Sequence, residues 1–479
     1  MMYPELTMMI DGELVTAGGR RREPVLNPAD EGTLGLLPYA TTSDLDRALE
    51  SAQRGFATWK NASARERGSI LKRGAALIRN RQDTIARVLT LEQGKPLVEA
   101  QGEVAVSADI IEWYAEEGRR AYGRIVPATS AGLRQLVVME PVGVALAVTP
   151  WNFPALTPCR KIGGALAAGC SLILKASEET PGTALEIVKA LHDAGLPPGV
   201  LNLVFGDAPA VTGHLLGSPI VRKLSFTGSV PVGKLLAATA AANLQRTTLE
   251  LGGHAPVLVF DDVDVERVAT LLAVGKFRNA GQICISPTRF YVHERIFDAF
   301  VEHFTARAGA MRLGEGLAET TGMGPLANPG RQVAMEEFVS DATRRGARIC
   351  AGGDRHGSTG FFFKPTVLTD PPDDARVMTE EPFGPVVPIT RFQNLEQVIQ
   401  RANSLSVGLA AYAFTTSNET AMAVGELLKA GMVGVNTLNV SNAETPFGGT
   451  RESGYGQEGG IEGMQAYLDV KLIAHARRP

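Results

Sequence analysis

The sequence predicts an α/β protein with two doubly wound α/β domains and a small β arm. Three observations carry this. At 479 residues the chain exceeds what one hydrophobic core organises, so two or three domains are expected. From Val142 short apolar runs alternate with helical ones, the pattern of a parallel sheet covered by helices on both faces. The alternation resumes beyond His254 over a stretch of similar size.

In chain order, residues 42–120 read as a helical layer. SDLDRALESAQRGFATW begins at a candidate cap, Ser43, and ARERGSILKRGAALIRNRQDTIARVLTLEQGK carries apolar residues three and four apart. GRIVPATSAGLRQLVVMEPVG follows as an extended hairpin. An isolated hairpin is unstable in water, so it wants a partner sheet, for which a second subunit is a candidate.

The runs VALAVT, SLILKAS, VLNLVFG, KLSFTGS and TTLELGG then read as strands separated by helices. Such sheets bind ligands beyond the carboxyl ends of their strands. Asn152, Lys175, Glu178, Gly228, Ser229, Glu250, Gly252 and Gly253 stand at those ends. No GxGxxG fingerprint is present, and GSVPVGKL resembles a phosphate-binding P-loop but ends in Leu235, which offers magnesium no hydroxyl. What remains is a glycine-bearing strand end running into a helix N-terminus, where unpaired amides attract a dinucleotide's phosphates.

Beyond His254, strands are expected in APVLVF, TRFYVHE, FFFKPTVLT, EEPFGPVVPIT and LAAYAFT, with helices in RIFDAFVEHFTARA and LEQVIQRAN. The late stretch from Met432 is rich in glycine and turn residues, as a cleft-lining loop would be, before a final β-like YLDVKLI.

The net charge of −4 gives no global pull toward nucleic acid or an anionic membrane, so neither is expected as a partner. Four scattered cysteines without a CxxC pair, and seven histidines without ligand spacing, argue for a reducing compartment and against a metal site. MMYPELTMMIDGELV lacks the basic flank and long apolar core of a signal peptide, and no apolar run approaches a membrane span. The expected location is the cytoplasm.

Cys284 is the residue around which the chemistry gathers. It lies in KFRNAGQICIS, where the helical run VERVATLLAVGKF gives out and the β-rich ISPTRFYVHE begins. A thiol in such a connection can be reached by a substrate, whereas most free cysteines are buried as small hydrophobes. Position alone leaves the packed thiol as the commoner case. The company of Glu250, Asn152 and the Lys175 and Glu178 pair favours the nucleophile.

Seven motifs recur together and in order: PWNFP from Pro150, KASEETP from Lys175, FTGS from Phe226, ELGG from Glu250, GQIC ending at Cys284, EEPFGP from Glu380 and PFGG from Pro446. In these the chain resembles the aldehyde dehydrogenase superfamily over nearly its whole length. The resemblance implies a dinucleotide-binding domain of residues 1–122 and 142–249 and a catalytic domain of residues 250–449. Residues 123–141 and 450–479 would form the oligomerisation arm and C-terminal segment, in a homodimer or homotetramer. It also implies roles. Cys284 attacks the aldehyde, the Asn152 amide and the Cys284 N–H hold the oxyanion, and Glu250 activates the hydrolytic water. Lys175 and Glu178 meet the adenine-side ribose, Trp151 belongs to the cofactor loop, Gly228 and Ser229 meet the pyrophosphate, and Glu381 with Phe383 the nicotinamide ribose. A carboxylate at Glu178 repels a 2′-phosphate, so NAD is expected over NADP, with NADP possible through Lys175.

RNAGQIC, the CRKIGGALAAGC helix and Ser441 look like the succinate-semialdehyde dehydrogenase branch, in which Arg160, Arg278 and Ser441 would grip a substrate carboxylate. Two guanidinium forks suit such an anion. Glutarate and 2-oxoglutarate semialdehyde remain alternatives, as does a broad-range enzyme whose arginines face elsewhere. From other classes, a non-catalytic dinucleotide-binding or structural protein and a cysteine hydrolase are alternatives; the second wants a base beside the thiol, and no histidine falls in a motif for that role. Where some relatives carry a second cysteine, Ser286 stands here, so no disulfide switch of that kind is expected.

Overall fold

The computed structural model describes residues 3–476. Met1, Met2 and residues 477–479, the outermost positions of the expected N- and C-terminal segments, lie outside the described residues. No helix among the described residues is long and apolar enough to cross a membrane.

Two large sheets organise the chain. In the eight-stranded sheet the order is Glu13–Val15, Met8–Ile10, Leu201–Val204, Ser171–Lys175, Val144–Val148, Val221–Thr227, Arg246–Glu250 and Gly454–Tyr455. Its five central strands are mutually parallel. Taken in chain order they run third, second, first, fourth, fifth, so the direction of winding reverses between Val144–Val148 and Val221–Thr227. Connections leaving those two neighbours diverge and open a crevice beyond their carboxyl ends. The loops there carry Trp151 and Asn152 on one side, Gly228 and Ser229 on the other.

In the seven-stranded sheet the order is Arg348–Ala351, Thr366–Thr369, Val386–Phe392, Pro287–His293, Ala255–Val259, Ala410–Phe414 and Met432–Val435. All but the Arg348–Ala351 edge run parallel. Every residue of Ala255–Val259 and Pro287–His293 is buried, as a sheet covered on both faces requires. Leu251, Gly252, Gly253 and His254 link the carboxyl end of Arg246–Glu250 to the amino end of Ala255–Val259. The crevice of the first sheet therefore faces the amino ends of the second.

Four long helices fill residues 42–117, as the apolar spacing requires. The first is capped by Thr41 rather than Ser43: the Thr41 hydroxyl accepts from the Asp44 N–H and the Asp44 carboxylate from the Thr41 N–H, a reciprocal pair. Ser43 falls inside the helix because only Thr41 has the extended backbone a cap needs. The expected second helix breaks in two at Arg81.

The arm is a three-stranded antiparallel sheet of Leu468–Ala476, Leu133–Pro141 and Arg124–Val126. Of the described residues 450–476, only Leu468–Ala476 joins it. Thr450–Arg451 pairs with Val407–Gly408, Gly454–Tyr455 edges the first large sheet, and the Gly460–Gln465 helix packs where Gly164 leaves room. These contacts are short, and the glycine-rich sequence around them carries no periodic signal that would announce them.

Candidate active site

A cavity of about 1160 Å³ lies between the two sheets, lined by Asn152, Arg160, Glu250, Arg278, Cys284 and Glu381. Trp151, Gly228, Ser229, Phe383 and Ser441 also face it. Lys175 and Glu178 do not; they stand beyond the neighbouring strand, Nζ to Oε1 at 2.5 Å, with the Gly206 N–H donating to Glu178 at 3.3 Å.

Cys284 is delivered by an unusual turn. After the Val265–Phe277 helix, Asn279, Ala280 and Gly281 take φ of 50°, 52° and 74°, which reverses the chain into the cavity. Only glycine fits at 281, since a Cβ would sit 2.2 Å from the Gly384 carbonyl oxygen. Gln282 locks the turn: its Nε2 donates to the Asn279 carbonyl at 3.0 Å and its Oε1 accepts from the Ala327 N–H at 2.9 Å. The Asn152 Nδ2 donates to the Gln282 carbonyl at 3.0 Å, bringing the amide within two residues of the thiol. Burial pushes the Cys284 thiol up to about 12, with the charges of Glu381 and Glu250 adding to it and Arg160 opposing.

Glu250 ends its strand 2% exposed, and neither carboxylate oxygen has a hydrogen-bond partner. Burial raises its carboxyl well above the usual range, and the nearby Glu458 carboxylate raises it further. Glu458 is itself held by Lys161 Nζ and by the Ser225 hydroxyl at 3.0 Å. The Arg160 guanidinium is 3% exposed and lies 4.2 Å over the Phe447 ring; its Nη2 donates to the Ser441 hydroxyl at 2.6 Å. Its Nε and Nη1 have no partner. Arg278 is exposed at the cavity wall, 6.0 Å from the Phe153 ring centre.

On the far wall Trp151 and Phe383 meet edge to face at 5.6 Å. Glu381 accepts from the Gly253 N–H at 3.3 Å and is raised to about 8 by burial. Ser229 caps the Val230–Ala241 helix with extended backbone but no side-chain bond, leaving the first-turn amides free for an anion. Those amides, the winding reversal and the Glu381 carboxylate fit a dinucleotide laid across the crevice. Among the described residues no group of three or more His, Cys, Asp or Glu is disposed to hold a metal ion.

Compared with known proteins, residues 15–473 match the model of the aldehyde dehydrogenase family. The chain belongs to the aldehyde dehydrogenase family. The enzyme is 48% identical over 470 residues to the 4-(hydroxymethyl)benzenesulfonate dehydrogenase TsaD1 of Comamonas testosteroni, covering 98% of both chains. It is 42% identical to the NADP(+) succinate-semialdehyde dehydrogenase GabD of Escherichia coli, covering 97% of this chain and 96% of that one. A crystal structure of succinate-semialdehyde dehydrogenase from Burkholderia pseudomallei superposes with a TM-score of 0.97 at 42% identity, covering 99% and 98%. The enzyme is thus a cofactor-dependent oxidoreductase resembling the succinate-semialdehyde dehydrogenase branch.

Several residues of the enzyme's site escape a reading of motifs. Lys161 and Glu458 sit beside Glu250 yet lie in a mostly apolar helix and a glycine-rich loop; two adjacent cations, Arg160 and Lys161, inside the Leu156–Ala168 helix are the one available signal. Gly252 has a role of its own, because a Cβ there would stand 2.5 Å from Glu381 Oε2. Gly252→Ala is therefore expected to displace Glu381 and weaken dinucleotide binding by about tenfold, some 1.4 kcal/mol. Fluorescence titration checks this, and an unchanged Kd removes Glu381 from the cofactor site.

Proposed function

We propose that the enzyme oxidises a short aldehyde bearing an ω-carboxylate, succinate semialdehyde foremost, to the carboxylic acid, with hydrolysis of a thioester on Cys284. The observation that carries the substrate reading is Arg160. A buried guanidinium with two unpartnered nitrogens, fixed by Ser441 and Phe447, lines the same cavity as the thiol. A buried cation short of partners favours an anionic ligand. Arg278 adds a second fork on the same cavity.

The steps follow from the residues. The Cys284 Sγ forms a bond to the aldehyde carbon as its proton leaves to solvent. Negative charge grows on the former carbonyl oxygen, where the Asn152 amide and the Cys284 N–H donate. Gly228, Ser229 and Glu381 would hold a nicotinamide dinucleotide, which when bound would supply the acceptor for the hydride lost from that carbon. This leaves a thioester on Cys284. Glu250 then takes a proton from water as the water attacks the acyl carbon, the carbon–sulfur bond breaks, and the acid departs.

Trp151, Gly228, Ser229, Glu381 and Phe383 are read as the cofactor contacts, with Lys175 and Glu178 at the adenine-side ribose. NAD is the preferred form in this reading. Glu178 neutralises the lysine that a 2′-phosphate would need, although GabD is named for NADP(+). Exposed Ile125, Val470 and Leu472 on the arm support a homodimer or homotetramer, in which the arm pairs with a neighbour's sheet. A reducing, cytoplasmic setting suits a reaction that needs Cys284 free.

A sulfonate in place of the carboxylate is the second reading. It rests on TsaD1, at 48% identity, which is named for 4-(hydroxymethyl)benzenesulfonate. Steady-state kinetics over succinate semialdehyde, glutarate semialdehyde, a sulfonated aldehyde and an uncharged aldehyde of matched length test both, for wild type and Arg160→Ala. The carboxylate substrate is expected to lead, and the variant to lose about 2 kcal/mol or more of that lead. Equal rates on uncharged aldehydes, unmoved by the variant, would sink the anion clamp and leave the family untouched.

A further inference from the structure

The loop carrying Asn152 is held from behind by an ion pair that the reaction as written does not use. Lys95 and Glu103 meet at 2.5 Å with side chains 1% and 2% exposed. Lys95 Nζ also donates to the Asn152 carbonyl oxygen at 2.9 Å and lies 4.2 Å over the Phe153 ring. The other Glu103 oxygen accepts from the Ala155 N–H at 2.9 Å and the Leu156 N–H at 3.2 Å. These are amides at the start of the Leu156–Ala168 helix, which has no side-chain cap of its own.

One buried pair thus fixes the stretch from Asn152 to Leu156 at three backbone points. The Asn152 carbonyl takes a second bond, from Asn279 Nδ2 at 3.0 Å, so both its lone pairs are used. Asn279 in turn donates its N–H at 2.8 Å to Glu99, which shares the Leu97–Glu117 helix with Glu103. The backbone carbonyl of Asn152 is thus held from two sides. Its side chain spans from that anchor to the Gln282 carbonyl.

A salt bridge this deep is poor evidence of stabilisation, because desolvating two charges offsets most of their attraction. Its geometry serves orientation. Donors aimed in advance at a developing oxyanion need no reorganisation when the charge appears. We infer that Lys95 and Glu103 are positioning residues that hold the Asn152 amide in its oxyanion-binding orientation before substrate arrives. The inference rests on the reading of Asn152 as oxyanion donor.

Lys95→Met alone strands a buried carboxylate, so the paired variant K95M/E103Q is the one to measure. It removes both charges and the bond to Asn152 while keeping an acceptor for the Ala155 and Leu156 amides. In the full-length enzyme with NAD, the single-turnover burst of reduced cofactor is expected to slow by about tenfold to a hundredfold. KM and the dinucleotide Kd should stay unchanged, a split that general loosening would not produce. In an Asn152→Ala background the pair should cost nothing further. If the paired variant does not fold, Glu103→Gln, which is isosteric, should show a smaller loss with the same dependence on Asn152. A burst at the wild-type rate, or an equal loss with and without Asn152, overturns the positioning role. Loss of nothing in Asn152→Ala itself would overturn the oxyanion reading instead.

Discussion

Cys284→Ala is expected to lower kcat/KM for aldehyde oxidation by about 10⁴-fold or more, the scale on which removing a nucleophile acts. Dinucleotide binding should persist, because Trp151, Ser229 and Glu381 approach from other loops. The wild-type thiol carries a second signature. Burial and two carboxylates hold it near 12, so the free enzyme contains little thiolate at neutral pH. Alkylation of Cys284 by iodoacetamide should climb about tenfold per pH unit through the neutral and mildly alkaline range. A plateau near neutrality would mean that the site ionises its nucleophile before substrate arrives.

Glu250→Gln should separate the two halves of the reaction. Hydrolysis of the thioester is expected to fall by about 10²–10⁴-fold, leaving a burst of reduced cofactor followed by a stall. The sign of the pH dependence follows from the environment. Burial and the Glu458 carboxylate both disfavour the charged form, so the Glu250 pKa is raised. The base form, and with it hydrolysis, is present above that pKa and lost as pH falls through it. Glu458→Gln removes a negative neighbour and should move the limb toward lower pH. Mass spectrometry of the stalled Glu250→Gln enzyme should find the acyl group on Cys284. Unmodified protein there, or a limb unmoved by Glu458→Gln, would require another base.

Much of this was legible because strand ends announce themselves. Asn152, Gly228 and Glu250 each follow a short apolar run, and a doubly wound sheet gathers such positions into one crevice. Cys284 and Glu381 are different, since each precedes its strand. They join the site because the second sheet presents its amino ends, an orientation set by the four-residue link after Glu250 that no periodicity encodes. Thr41 displaced Ser43 as a helix cap for a similar reason: both are good caps, and the backbone geometry chose. Lys95, Lys161 and Glu458 stayed hidden because each pairs with a residue far along the chain or reads as an ordinary charged position. Only the partner reveals its work.

Glu458 and the Gly454–Tyr455 strand complete a sheet and a carboxylate pair begun more than two hundred residues earlier. On a ribosome the first sheet can form its five parallel strands while this tail is still unmade. Lys161, 0% exposed in the finished enzyme, would then face water with no counter-charge. Its burial must wait until Glu458 is added. Chains released before Glu458 are therefore expected as folded but inactive species with an open sheet edge, the kind of intermediate that chaperones and proteases recognise.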